Sequence, residues 1–412
     1  MADGPALKFD AFTSADPHPW PAIAQDRARC PIAHVGGAFP YHQVNSYELI
    51  REANRRHEDF SNRMGVVPAG PQAEGEQVLE FADPPEHTVH RALVGKAFSV
   101  ARVNEQKDRI QAIADDLVDA IAARGNSFLL RREFSRPLPS QVIAEILGVP
   151  LDDRAKFMDW TEAVEETIGG TTARDKRDDA QGNLYAYCAE QLELRRREPR
   201  DDLLSAIVHA QVDDQKLSAS EATAMVGLLL GAGNGTTSIG VSNLVYLLET
   251  HPEQKAKLLA DMDGLLESAV EEGFRFDCPV QGNLRGVKHD TTLGGTELKA
   301  GERIYSFYTS GNHDPDKYDR PDEFLIDRDW RRLPRHFAFG FGIHFCMGSD
   351  LARAETQIAI RTLYTRLPNL RLREGFVAEQ IPGMVFRTWR ELDMVFDGPA
   401  LPRLSPAGES AA

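Results

Sequence analysis

The segment beginning Ser218-Ala219-Ser220-Glu221 constrains this chain more than any other. A serine N-cap with glutamate three residues on is a capping box, and the helical pattern it opens lasts until His251-Pro252. That is about 30 residues, or roughly 45 Å at the rise of an α-helix. Few globular helices are so long, so this one is expected to cross the whole domain, with the remaining elements packed around it. Asp83-Pro84-Pro85-Glu86 predicts another start, with Asp83 as N-cap, leading through His87 and Arg91, which are four residues apart and share a face. HPEQKAKLLADMDGLL and ESAVEEGFRF read as two shorter helices, and DTTLGGTELKAGERIYSFY as a hairpin turning at Gly294-Gly295. The expected class is mostly α with minor β.

With 412 residues, 42% of them hydrophobic, the chain could form one large domain or two. It shows no internal repeat and no low-complexity linker, which favours a single fold. We expect an extended N-terminal segment over residues 1–20, one domain over 21–400 and a loose tail over 401–412. The formal net charge of -16 argues against a nucleic-acid partner, which requires a basic footprint. The opening MADGPALKFD has no apolar run of signal-peptide length, and MVGLLLGAG is too short to span a bilayer, so a cytoplasmic protein without a membrane anchor is expected. Against the acidic background Arg331, Arg332, Arg335 and His336 cluster, either as a solvated basic loop or as a dock for an acidic partner.

The four cysteines, Cys30, Cys188, Cys278 and Cys346, are scattered and include no Cys-x-x-Cys pair. Cys346 stands apart because of its setting, FAFGFGIHFCMGSDLARAETQIAI, where Gly340, Gly342 and Gly348 flank a cysteine at the start of an amphipathic helix. Glycine permits close approach to a flat ligand, and a helix N-terminus favours the thiolate that binds metal. Zinc would need about four ligands, and His344-x-Cys346 is the only pairing nearby. No resolving cysteine for disulfide exchange is suggested. On spacing alone, Cys346 is either a lone metal ligand or one more buried thiol.

The run FAFGFGIHFCMG resembles the heme-binding loop of the cytochromes P450: phenylalanine, two residues, glycine, three residues, cysteine, one residue, glycine. Here these are Phe339, Gly342, Cys346 and Gly348. Three further segments occur in the family's order. Glu272-Gly273-Phe274-Arg275 resembles its structural Glu-x-x-Arg; DPPEHTVHRALVGKAF resembles the helix that sends His87 and Arg91 to the heme propionates; LLLGAGNGTTSIG resembles its oxygen-binding segment. In the last, Ala232, Gly233, Thr236 and Thr237 match, but Gly235, after Asn234, stands where the family carries an acid. Gly231, Gly233 and Gly235 each weaken the helix by about 1 kcal/mol relative to alanine, so a local opening or kink is expected.

The resemblance implies a single large domain with the long helix over a heme b held by Cys346. Arg285 and His344 join His87 and Arg91 at the propionates, and Phe339, Ala232 and Gly233 lie against the heme. It implies a monooxygenase that oxidises a small hydrophobic substrate with dioxygen and two electrons, delivered by a ferredoxin and its reductase. Thr236 supports the hydrogen bonds at dioxygen, while the altered pair Asn234 and Gly235 puts proton delivery in question. Leu228, Gly231, Ala232, Val280, Gln281, Val66 and Val67 are the implied pocket. The Arg331, Arg332, Arg335 cluster, with Arg91 and Lys96, becomes a dock for an acidic ferredoxin. Two alternatives follow from the missing acid or the absence of turnover: a heme-thiolate enzyme of atypical chemistry (peroxide-driven, coupling or isomerising), and a non-catalytic heme-thiolate sensor.

Overall fold

A computed structural model describes residues 7–68, 70–168, 174–212 and 215–403. Its axis is the helix Ala219–Thr250, 32 residues opened by Ser218, whose side chain accepts from the Glu221 backbone while Glu221 returns a bond to the Ser218 backbone. Over its most apolar 18-residue window the mean hydropathy is 1.2 and 72% of the window is buried in protein, so its hydrophobicity serves the core. Helices Pro137–Leu147, Arg154–Ile168, Arg174–Arg197, Met262–Phe276 and Ser349–Arg366 pack against it. Close packing requires small residues at the crossings: a Cβ at Gly240 would lie 2.6 Å from the Phe274 ring. Contrary to the expected opening, the helix continues unbroken through Gly231, Gly233 and Gly235, because neighbouring helices supply the packing that offsets their low propensity.

Other elements depart from expectation for local reasons. The two helices after His251 divide at Asp261 rather than near Glu267, since the Asp261 carboxylate accepts from the Gly264 amide at 3.0 Å and starts Met262–Phe276. Asp83 does not cap with its side chain; that carboxylate is taken by the Ser61 hydroxyl (2.6 Å) and the Asn62 amide (3.0 Å), and the helix runs Glu86–Val94. Among the described residues no regular element precedes Trp20–Arg29, yet the chain from Lys8 is pinned: Phe9 stacks on Phe307 at 5.5 Å, and the Lys8 and Phe9 amides donate to Asp26. At the other end Arg403 pairs with Asp116 and Asp119, and residues 404–412 of the expected tail lie outside the described residues.

The minor β part includes a five-stranded sheet in the order Ile32–Val35, Tyr41–Val44, Arg303–Phe307, Gly282–Val287, Phe60–Ser61. Thr291–Leu293 and Thr296–Leu298 form the hairpin around Gly294-Gly295. In Gly282–Val287 the period of two sends Asn283 and Arg285 to the same face, towards the large cavity under the central helix.

Candidate functional site

The floor of that cavity is the Cys346 loop. Gly340 (φ 68°) and Gly342 (φ 76°) turn the chain through left-handed conformations, and a Cβ at Gly342 would overlap the Asn54 carbonyl oxygen. The Cys346 amide donates to the Phe339 carbonyl at 2.8 Å, and Phe339 is held between the Phe274 ring (4.9 Å) and the Arg353 guanidinium (4.4 Å). The helix itself begins at Ser349, three residues beyond the cysteine, so the Gly348 amide is the helix-end donor that reaches the sulfur. The thiol is open to the cavity but otherwise enclosed by protein. Burial pushes its pKa up, opposed by the Gly348 amide and by Arg91 and Arg353. A thiolate in such a place calls for a metal cation opposite it. Among the described residues no group of three or more His, Cys, Asp or Glu could hold a metal ion, so a metal bound at Cys346 would have to arrive with its other ligands already attached.

The rim supplies a matching observation. His87, Arg91, Arg285 and His344 all face the cavity. Arg285 is buried, and only its Nη2 is satisfied within the protein, donating to Asn54 Oδ1 at 2.8 Å; its Nε and Nη1 have no partner, nor has His344 Nδ1. The His87 and His344 rings lie 4.3 Å apart. Burial, then the neighbouring positive charges, hold His87 down at about 4 and His344 at about 2. Crowded buried donors without an anion are costly, and two carboxylates at this rim would satisfy them. The donor set therefore fits the propionates of a heme whose iron meets Cys346.

The roof is the central helix. Leu228, Ala232, Gly233 and Thr236 line the cavity, and the Thr236 hydroxyl donates to the Ala232 carbonyl at 2.9 Å, leaving its lone pairs free to accept. Asn234 does not face the cavity. At 100° per residue it lies on the far side from Ala232 and Thr236, where it is buried, accepting from Ser140 Oγ (2.5 Å) and donating to Thr161 Oγ1 (3.1 Å). Gly235 is buried and lines neither this cavity nor the next.

A second cavity adjoins the first, sharing Glu80, Leu228, Ala232, Thr236, Val280 and Asn283 with it. Val67 and Gly231 line it as expected. Val66 and Gln281 do not: Val66 is buried in a small cluster with Val67 and Val385, and Gln281 is a buried tether, its Nε2 donating to the Gly383 carbonyl at 2.5 Å. Val66 lies in a bend, and Gln281 follows Val280, which faces the cavity.

Beneath the Cys346 loop, Glu272 and Arg275 form a pair with no solvent exposure, joined through Nε and Nη2 at 2.8 Å each. Arg275 also donates to the Asn312 and Pro321 carbonyls, and Arg328, which the sequence did not single out, reaches Glu272 at 3.0 Å. The Leu325 amide donates to Glu272 as well, so the pair clamps the segment that leads into the cysteine loop.

Comparison with known proteins shows the family. The family model described as Cytochrome P450 matches residues 168–367. The vitamin D(3) 25-hydroxylase of Pseudonocardia autotrophica is 37% identical over 87% of this chain and 88% of its own length. The cytochrome P450 monooxygenase PikC of Streptomyces venezuelae is 35% identical over 90% of this chain and 83% of its own. The crystal structure of CYP109E1 from Bacillus megaterium in complex with testosterone superposes with a TM-score of 0.84 at 29% identity, covering 95% of this chain and all (100%) of that one. The chain belongs to the cytochrome P450 family. It is accordingly a monooxygenase of the oxidoreductase class, with a heme-thiolate iron cofactor.

On the cysteine side of this cytochrome P450, Arg331, Arg332 and Arg335 are exposed, and Arg335 lies over the Phe345 ring at 5.7 Å, next to the cysteine. Lys96 is exposed beside Gly95, which faces Met347. His336 leaves the expected patch, being buried with its Nε2 on Glu271 at 3.0 Å, and Arg91 turns into the cavity. Two carboxyls at the cavity carried no sequence signal. Glu355, on the cysteine helix, is buried with Oε2 unpartnered, and burial raises its pKa. Glu80 sits in an irregular turn where no periodicity or spacing marks a residue.

Proposed function

We propose that this cytochrome P450 oxidises a small, largely hydrophobic organic molecule, by hydroxylation or a related oxidation, using dioxygen and two electrons from a separate ferredoxin and ferredoxin reductase. The observation that carries the reading is one cavity holding a thiol on its floor, orphaned buried cationic donors at its rim and a threonine hydroxyl at its roof. Heme b bound there supplies the oxidation; the protein supplies position, exclusion of water and control of protons. Cys346 is the iron ligand. Arg285, His87, Arg91 and His344 receive the propionates, and Phe339, Ala232 and Gly233 border the macrocycle.

Thr236 already spends its proton on the Ala232 carbonyl, so its oxygen is left to accept a hydrogen bond and would orient water in the cavity. No carboxyl comes from the central helix at Gly235, and water held on Thr236 would be the nearest source of protons on that helix. The apolar side chains of Leu228, Val280 and Val67 suit an apolar body, in keeping with relatives whose names or complexes involve vitamin D(3) and testosterone. The donor protein docks on Arg331, Arg332, Arg335 and Lys96.

The reduced, carbon-monoxide-bound absorption spectrum tests the core of this reading: a band at the thiolate-ligated position is expected, and its absence in folded, heme-loaded protein overturns it. Ferredoxin reduction rates that fall as salt rises are expected from the basic dock, and salt-independent rates would remove that dock from the proposal.

A further inference from the structure

Glu80 is the group that the reading above leaves without a task. Its turn, Leu79–Phe81, stands where the two cavities meet, and its side chain lines both. The turn is fastened at each residue around it. The Leu79 amide donates to His90 Nδ1 at 3.4 Å, Asn62 Nδ2 donates to the Glu80 carbonyl at 2.8 Å, and the Ala82 amide donates to the Leu79 carbonyl. Leu79 holds φ at 47°, a left-handed conformation that a leucine adopts only at a cost. Those anchors over-determine the turn and aim the carboxyl inward.

Among the described residues the Glu80 carboxyl has neither a hydrogen-bond nor an ion-pair partner, and burial raises its pKa to about 7. An unpartnered carboxyl in apolar surroundings destabilises the protein and is retained where something outside the protein completes it. The outer cavity has a second acid, Glu76, on the same stretch of chain. Its one cationic side chain among the described residues, Arg177, is paired with Asp178. The balance of charge in a largely apolar chamber is therefore negative.

We propose that Glu80, with Glu76 further out, recognises a substrate bearing a protonated amine on an apolar body. The apolar body fills the chamber beneath Leu228 and Val280, and the ammonium completes the carboxyl at the junction, which fixes how far the body advances over the heme. This rests on the monooxygenase reading only in that the bound molecule is its substrate.

The test uses heme-loaded enzyme whose reduced, carbon-monoxide-bound spectrum already shows the thiolate band, so that failure of the earlier reading is registered separately. Binding is measured by calorimetry with three probes of equal chain length: decylguanidinium, which keeps its N–H donors and stays protonated so that it does not ligate iron, decanol and decanoate, all below their micellar concentrations. The wild type is expected to prefer the cation over the alcohol, and the alcohol over the carboxylate. Glu80→Gln is expected to cut the cation-to-alcohol affinity ratio by roughly tenfold or more, and Glu80→Asp to retain most of it. The ratio is the readout because a disturbed turn weakens all probes alike. An unchanged ratio in Glu80→Gln, or decanoate binding the wild type as tightly as the cation, overturns the proposal.

Discussion

The two walls of the cavity are built on opposite principles. On the cysteine side the packing beneath the loop is committed: Glu272 is shared by Arg275 and Arg328, Phe339 is held between an aromatic ring and a guanidinium, and Gly342 lies against backbone that admits no Cβ. On the opposite side Glu80 and Glu76 have no side-chain partner among the described residues, in a largely apolar chamber. On the proposed reading the first wall presents one sulfur to one metal, a demand that rigid packing meets. The second must admit a molecule from outside, and its unfinished contacts are where that molecule belongs.

The sharpest way to break this contrast is at the sulfur. Cys346→Ser is expected to abolish both the thiolate band and turnover, as judged by the reduced carbon-monoxide spectrum and product assay. Next in size is the buried clamp. Arg275→Ala leaves the Glu272 charge without one of its partners and is expected to destabilise by about 3–5 kcal/mol, read from denaturant midpoints together with heme content. A loss below about 1 kcal/mol would mean that this wall is less committed than its geometry shows.

On the roof, Thr236→Ala is expected to lower product formed per electron consumed, on the order of tenfold or more, while leaving the thiolate band and stability unchanged. The smallest effect concerns Glu80. Its folded pKa of about 7 lies above the ordinary 4.5, so the folded state favours the protonated form. That contribution is fully present below pH 4.5 and is lost as pH rises through 7. Glu80→Gln, neutral throughout, should therefore match the wild-type Tm near pH 4.5 and exceed it above pH 7. A Tm difference independent of pH would show that the carboxyl already has a partner.

How much was legible in the sequence follows the same division. The central helix was marked by a capping box and its length, and the cysteine loop by glycines at positions where only glycine fits, because such constraints are local and leave a fixed spacing. That His87, Arg91, Arg285 and His344 meet at one cavity was legible through the resemblance, and for His87 and Arg91 also through their shared helix face. Val66 and Gln281 were misplaced, since proximity along the chain does not say which way a side chain turns once the chain bends.

By itself, then, the sequence determined the helical class, the long axis, the glycine-flanked cysteine loop and the family, all of which rest on short-range patterns of capping, periodicity and spacing. Only the tertiary structure decided that Arg328 joins the Glu272 clamp, that His336 is buried, and that Glu80 looks into the same space as Thr236. Those are meetings of residues tens to more than a hundred positions apart. The burial that sets their charge and chemistry exists only after the chain has closed around them.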